Sequence, residues 1–163
     1  NSGTMKWKQR IEGPIVAMPF VTNEVVYFSS AVGAMFALNR GNGNKRWSYT
    51  AKEGSPMVTT PTVIGDLVYA GDINGGVGCV NNEFGIRVWQ TAIDGAILSS
   101  PQVFNRHLII GTGNGELISM NADTGAVTWK KPLESVIGAD MTLKDNQLYV
   151  ATQGGNIYAF NLE

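Results

Sequence analysis

Four acidic residues stand at nearly equal distances along the chain: Glu12, Glu53, Asp94 and Glu134, spaced 41, 41 and 40. The first three are each followed by glycine. Carboxylates gathered on one face raise the local negative potential and draw in cations or a basic partner segment. The bland alternative is four solvated turn residues. Asp140 is a fifth candidate, because the corresponding slots earlier in the chain hold Met18, Thr60 and Ser100. A carboxylate aimed into a channel could take a metal ion or a water.

The rest of the chemical inventory is thin. The single histidine, His107, has no partner at metal-ligand spacing, and any histidine-based triad would have to use it. It reads as a structural or surface residue. The single cysteine, Cys79, excludes an internal disulfide and reads as a buried small residue. Gly111-Thr-Gly113-Asn-Gly115 looks like a phosphate cradle, but a strand follows it where a helix would be needed, so it reads as a turn. No Asp-Asn cluster has the spacing of a calcium loop. No catalytic residue, metal site or cofactor is assigned.

These residues recur because the chain itself recurs. Trp7, Trp47, Trp89 and Trp129 are spaced 40, 42 and 40. Gly33, Gly75, Gly115 and Gly155 keep the same phase, as do Asn39, Asn81, Asn121 and Asn161. Pro19, Pro61 and Pro101 do too, with Met141 in the fourth slot. A fixed period of blade size predicts a β-propeller. Each unit reads as four short strands rich in Val, Ile, Tyr and Trp, punctuated by Asn-Gly and Asp-Gly turns that supply positive φ. No stretch keeps a 3.6-residue apolar period, so almost no helix is expected.

Within each unit a small residue precedes a glycine by six positions and a tryptophan by ten: Ala37, Gly43, Trp47; Cys79, Gly85, Trp89; Ser119, Gly125, Trp129. This closely resembles the tryptophan-docking motif of the PQQ-like β-propeller repeat family, over essentially the whole chain. The family holds quinoprotein alcohol dehydrogenases and a propeller lipoprotein of outer-membrane β-barrel assembly. The resemblance implies that each tryptophan staples adjacent blades, so Trp7, Trp47, Trp89 and Trp129, with Gly43, Gly85 and Gly125, are docking residues rather than ligand stackers. It further implies that the family's enzymes hold their quinone with adjacent cysteines, a stacking tryptophan and carboxylate-bound calcium. This chain has no adjacent cysteines, and all its tryptophans are accounted for by docking.

The repeats run approximately 12–50, 54–93, 95–131 and 135–163. The fourth stops before its Gly-x-x-x-Trp strand, while Gly3-Thr-Met-Lys-Trp7 carries that strand at the other end. Residues 4–10 are therefore expected to form the outer strand of a blade. A closed four-bladed monomer, an eight-bladed ring of two chains and half of a longer propeller all fit. Family members usually have seven or eight blades, which favours the last two. The first residue is Asn1 rather than Met, and a preceding segment is expected.

Composition narrows the function classes. Net charge is −1, and lysines and arginines are scattered rather than arrayed in a basic stripe, which argues against a nucleic-acid partner. No apolar run approaches membrane-spanning length. The expectation is an all-β, non-catalytic propeller scaffold that binds protein or peptide and self-associates into a larger ring. The resemblance implies an extracytoplasmic bacterial setting. A fragment of a quinone-dependent dehydrogenase and a small-ligand sensor using the channel are the rival readings.

Overall fold

Backbone hydrogen bonding in the computed structural model, which describes residues 2–51 and 55–163, is organised as four separate antiparallel sheets with no helix among those residues. The first sheet holds β1 (Phe20–Val21), β2 (Val25–Ser30), β3 (Ala34–Asn39) and β4 (Lys45–Thr50), in that order. The second repeats it with β5 (Thr62–Ile64), β6 (Leu67–Gly71), β7 (Gly76–Asn81) and β8 (Arg87–Ala92). The third holds β9 (Gln102–Phe104), β10 (His107–Gly111), β11 (Glu116–Asn121) and β12 (Val127–Pro132). The fourth holds three strands, β13 (Thr142–Lys144), β14 (Gln147–Ala151) and β15 (Ile157–Asn161). Residues 2–19 form no strand.

The innermost strands are the shortest, two or three residues each. The alternating stretch 97–104 pairs as a strand only over Gln102–Phe104, with Ile97 making one isolated bridge to Thr112. Pro101 lacks the N–H that would extend the ladder.

Each small residue of the docking motif lies directly across from the tryptophan of its own sheet: Ala37 opposite Trp47, Cys79 opposite Trp89, Ser119 opposite Trp129. A bulge follows at once in all three pairs. A bulge adds local twist, and it falls where the outer strand must turn its indole toward the next sheet.

The core is a series of sheet-to-sheet contacts. Val25, Tyr27, Met35, Ala37 and Trp47 of the first sheet pack on Val63, Val68, Ala70 and Val80 of the second. Tyr69, Val77, Cys79 and Trp89 repeat that layer against Leu108, Ile110, Ile118 and Met120 of the third. Ile109 and Leu117 pack on Leu148 and Val150 of the fourth. The period-2 alternation of each strand sends successive residues to opposite neighbours, so both faces of an inner sheet are apolar. On the far side of the first sheet, Phe28, Phe36 and Leu38 are covered by Trp7 and Ile11.

Candidate functional site

The staples are directional. Trp47 donates its indole N–H to the Asn82 carbonyl at 2.7 Å, and Trp89 donates to the Ala122 carbonyl at 2.8 Å. Trp7 does the same to the Arg40 carbonyl at 2.8 Å, although its segment belongs to no sheet. Each acceptor directly follows the recurrent asparagine. That asparagine's side-chain oxygen also caps the turn, as Asn81 Oδ1 accepts from the Glu83 N–H at 2.9 Å. Each indole lies over the glycine of the next sheet's turn: a Cβ at Gly43 would fall 2.6 Å from the Trp7 ring, and one at Gly85 would fall 2.7 Å from Trp47. The small residue at that turn is needed for close approach as well as for positive φ.

Trp129 departs from this pattern. It is 37% exposed, against 6% for Trp47, and it lines an open groove of about 360 Å³ with Phe104, His107, Lys131, Phe160 and Leu162. The Lys131 ammonium sits 4.8 Å from the centre of the Phe160 ring. His107 is half-buried at the groove wall, its Nδ1 3.2 Å from Ser119 Oγ, which is 2.9 Å from Thr128 Oγ1. Ser119 is buried within its strand and lies at the floor of the same groove.

Cys79 is also wholly buried. Burial, with a smaller contribution from Asp123, pushes its thiol up to about 12, so it stays protonated and unreactive at neutral pH. Burial likewise raises Tyr27, Tyr49 and Tyr69.

Glu12, Asp94 and Glu134 occupy equivalent loops. Glu12, Asp94 and Glu134 are exposed, and none is in a salt bridge among the described residues. Glu53 lies outside the described residues. The loops sit beside the central hairpin turns: Gly95 abuts Asn114, and Glu134 accepts from the Asn156 amide at 3.3 Å.

Asp140 is placed differently from a free channel carboxylate. Its Oδ1 accepts the Ser100 backbone N–H at 2.7 Å. Ser100 Oγ in turn accepts the Thr60 N–H at 3.0 Å. The slot therefore clasps the fourth sheet to the third and the third to the second. Ser100 and Asp140, short acceptors in equivalent slots, carry that signal in the sequence, where Asp140 alone looks like an outlier. Among the described residues no three His, Cys, Asp or Glu side chains converge as a metal site would require.

A second feature goes unmarked by the repeat. On the outer edge of the second sheet, Phe84, Ile86 and Val88 are 62%, 65% and 49% exposed. The same slots hold Asn42, Asn44 and Arg46 in the first repeat and Thr124, Ala126 and Thr128 in the third. Comparing repeats for differences rather than likenesses would have found it.

Four sheets stapled by indoles onto glycine turns define a β-propeller built of PQQ-like repeats. The chain belongs to the family described as Outer membrane protein assembly factor BamB, whose sequence model matches residues 1–97 and again 73–163. The BamB of Escherichia coli (strain K12) is 33% identical over 93 residues, covering 52% of this chain and 24% of that protein. The crystal structure of BamB from Moraxella catarrhalis superposes with a TM-score of 0.84 at 24% identity, over 98% of this chain and 50% of that one. The quinohemoprotein alcohol dehydrogenase ADHIIG of Pseudomonas putida HK5 gives a TM-score of 0.77 at 17% identity, over 97% of this chain and 34% of that one, a likeness of fold alone. The chain thus spans half or less of these proteins.

Proposed function

We propose that this chain is a non-catalytic propeller scaffold that binds extended protein or peptide segments during assembly of the bacterial outer envelope, on its periplasmic side. The observation that carries the reading is the exposed apolar cluster at the start of β8: Phe84 in the turn before it, Ile86 directly ahead of it and Val88 within it. That strand ends its sheet, and among the described residues no further strand pairs with its outer backbone groups. Both edges begin with a basic residue, Lys45 and Arg87, but β4 then carries Arg46 where β8 has Val88, so one charge that guards an exposed strand is missing from β8. An open edge with exposed apolar side chains at its start suits strand addition, where main-chain bonds give affinity and side-chain contacts give selectivity. Membership of an outer-membrane assembly family supports the setting. No helix among the described residues is long and apolar enough to cross a membrane.

The test is fluorescence anisotropy with a labelled extended peptide of alternating apolar and polar residues. Replacing Phe84, Ile86 and Val88 together with serine weakens binding by about tenfold or more, since each exposed apolar contact contributes on the order of 0.5–1 kcal/mol. Unchanged affinity removes the cluster from the binding surface.

The loop acids form the second part of the reading, a rim that steers basic segments. Glu12→Gln, Asp94→Asn and Glu134→Gln together slow association at low salt and leave dissociation unchanged. Salt-independent association would make them ordinary turn residues. The blades work as part of a larger ring formed by self-association.

A further inference from the structure

The second repeat breaks with the others at three positions around its central hairpin. Asp72 stands where they carry Ser30, Thr112 and Thr152. Gly76 stands where they carry Ala34, Glu116 and Asn156, and Gly78 where they carry Phe36, Ile118 and Tyr158. Gly76 and Gly78 are two apart on β7 and so share one face. That face meets the first sheet, since a Cβ at Gly78 would stand 3.9 Å from the Tyr49 ring. Two side chains are thus missing from this junction. A cleft of about 540 Å³ opens beside them, lined by Ser55, Asp72, Asn74, Gly76, Arg87 and Gln90. Small-molecule sites occupy about 300–1,000 Å³.

The carboxylate exceeds what the turn needs. Asp72 Oδ1 accepts the Gly76 N–H at 2.9 Å, and Thr112 Oγ1 does the same for Glu116 at 3.0 Å. A threonine suffices for this cap. Asp72 Oδ2 lies in the space a Cβ at Gly76 would take and accepts no hydrogen bond among the described residues, although Asp72 is only 2% exposed. Ser55, 1% exposed, lines the same cleft, and its hydroxyl has no partner among the described residues. Buried polar groups left unpaired are rare and costly. On the cleft's other wall Arg87 donates to Gln90 Oε1 at 3.3 Å, so this pair offers a ligand N–H donors.

The cleft therefore presents acceptors and donors together, with one charge of each sign. A cation is opposed by Arg87 and an anion by Asp72. A neutral molecule with several hydroxyls, each able to donate and accept, matches both walls. We propose that this cleft binds a neutral sugar unit, whose hydroxyls donate to Asp72 Oδ2, bond with the Ser55 hydroxyl and accept from Arg87 and Gln90. The site goes beyond peptide addition at β8 and does not depend on it.

The test is an amide chemical-shift titration of the nitrogen-labelled chain with D-glucose and, separately, with cellotriose. Saturable shifts at the amides of Asn74, Gly76 and Gln90, with a millimolar Kd, are expected. Ser55→Ala and Gln90→Ala each weaken binding about fivefold, the share of one hydrogen bond. Asp72→Thr combined with Gly76→Glu copies the cap of the third repeat; it keeps the circular dichroism of the wild type and abolishes the shifts. Cellotriose bound about tenfold tighter than glucose marks a glycan chain as the source, and a smaller difference a free sugar. No saturable shift with either sugar overturns the proposal and leaves the Ser55 hydroxyl to water. Shifts confined to other residues, or binding that Ser55→Ala and Gln90→Ala both leave unchanged, overturn it as well. Arginine or phosphate moving these amides where the sugars do not overturns it in favour of a charged ligand. Serine at Phe84, Ile86 and Val88 leaves the sugar titration unchanged, so the failure of either reading is seen separately.

Discussion

Trp47 reaches across a sheet boundary to the carbonyl of Asn82, 35 residues later, with an N–O distance of 2.7 Å. The side chain of the same Asn82 accepts the Tyr27 hydroxyl, so one residue is gripped twice from the preceding sheet. The two bonds differ in their dependence on sequence. The carbonyl persists whatever residue stands there, as Arg40 and Ala122 show at equivalent positions. The tyrosine bond requires the amide.

That distinction gives the first expectation. Trp47→Ala empties a buried seat and costs about 3–5 kcal/mol in urea unfolding. Asn82→Ala loses the tyrosine bond and the exposed side-chain amide's donation to the Gly65 carbonyl, and costs about 1–2 kcal/mol. Trp129→Ala, measured on the single chain, costs well under Trp47→Ala because its indole is already part-exposed.

Gly85 and Gly65 separate crowding from backbone strain. Both have positive φ, +68° and +56°, but only Gly85 faces an indole. Gly65→Ala costs about 1–2 kcal/mol, the penalty of a left-handed conformation. Gly85→Ala adds overpacking against Trp47 and costs about 2–4 kcal/mol. Equal losses in thermal unfolding would show that the seat relaxes freely around a methyl group.

Asp140 is expected to behave as a clasp. Asp140→Ala removes the acceptor for the Ser100 N–H and speeds amide exchange at Ser100, with a stability loss of about 1 kcal/mol for this exposed carboxylate. Asp140→Asn keeps an oxygen acceptor and retains most of the protection. If Asp140→Asn exchanges as fast as Asp140→Ala, the carboxylate acts by charge alone.

Stability is expected to fall in alkali. The folded thiol of Cys79 ionises near 12 and the unfolded one near 9, so above about pH 9 the unfolded chain binds fewer protons. The stabilisation is fully present below that pH, and each further unit up to about 12 removes about 1.4 kcal/mol through this residue. Cys79→Ala, which places the residue of slots 37 and 159 there, flattens the curve between pH 9 and 12. The raised tyrosines act in the same direction at higher pH. Identical pH profiles for Cys79→Ala and wild type would contradict the raised thiol.

The repeat, its strands and its turns were legible in the residues, because tryptophan, glycine and asparagine recur where local geometry demands them. An indole needs a seat without a Cβ, and a tight turn needs positive φ; both demands are written at fixed spacing. What the period could not show was which indoles end up covered. Trp129 carries the same letter as Trp47 and Trp89, but only the packed sheets show that it lines an open groove while those two are buried. The role of Asp140 was hidden similarly, since its partner is a backbone N–H 40 residues earlier, brought near only by stacking one blade on the next. Local spacing determined the units, and the long-range packing of their faces decided which surfaces are buried and which remain open to a partner.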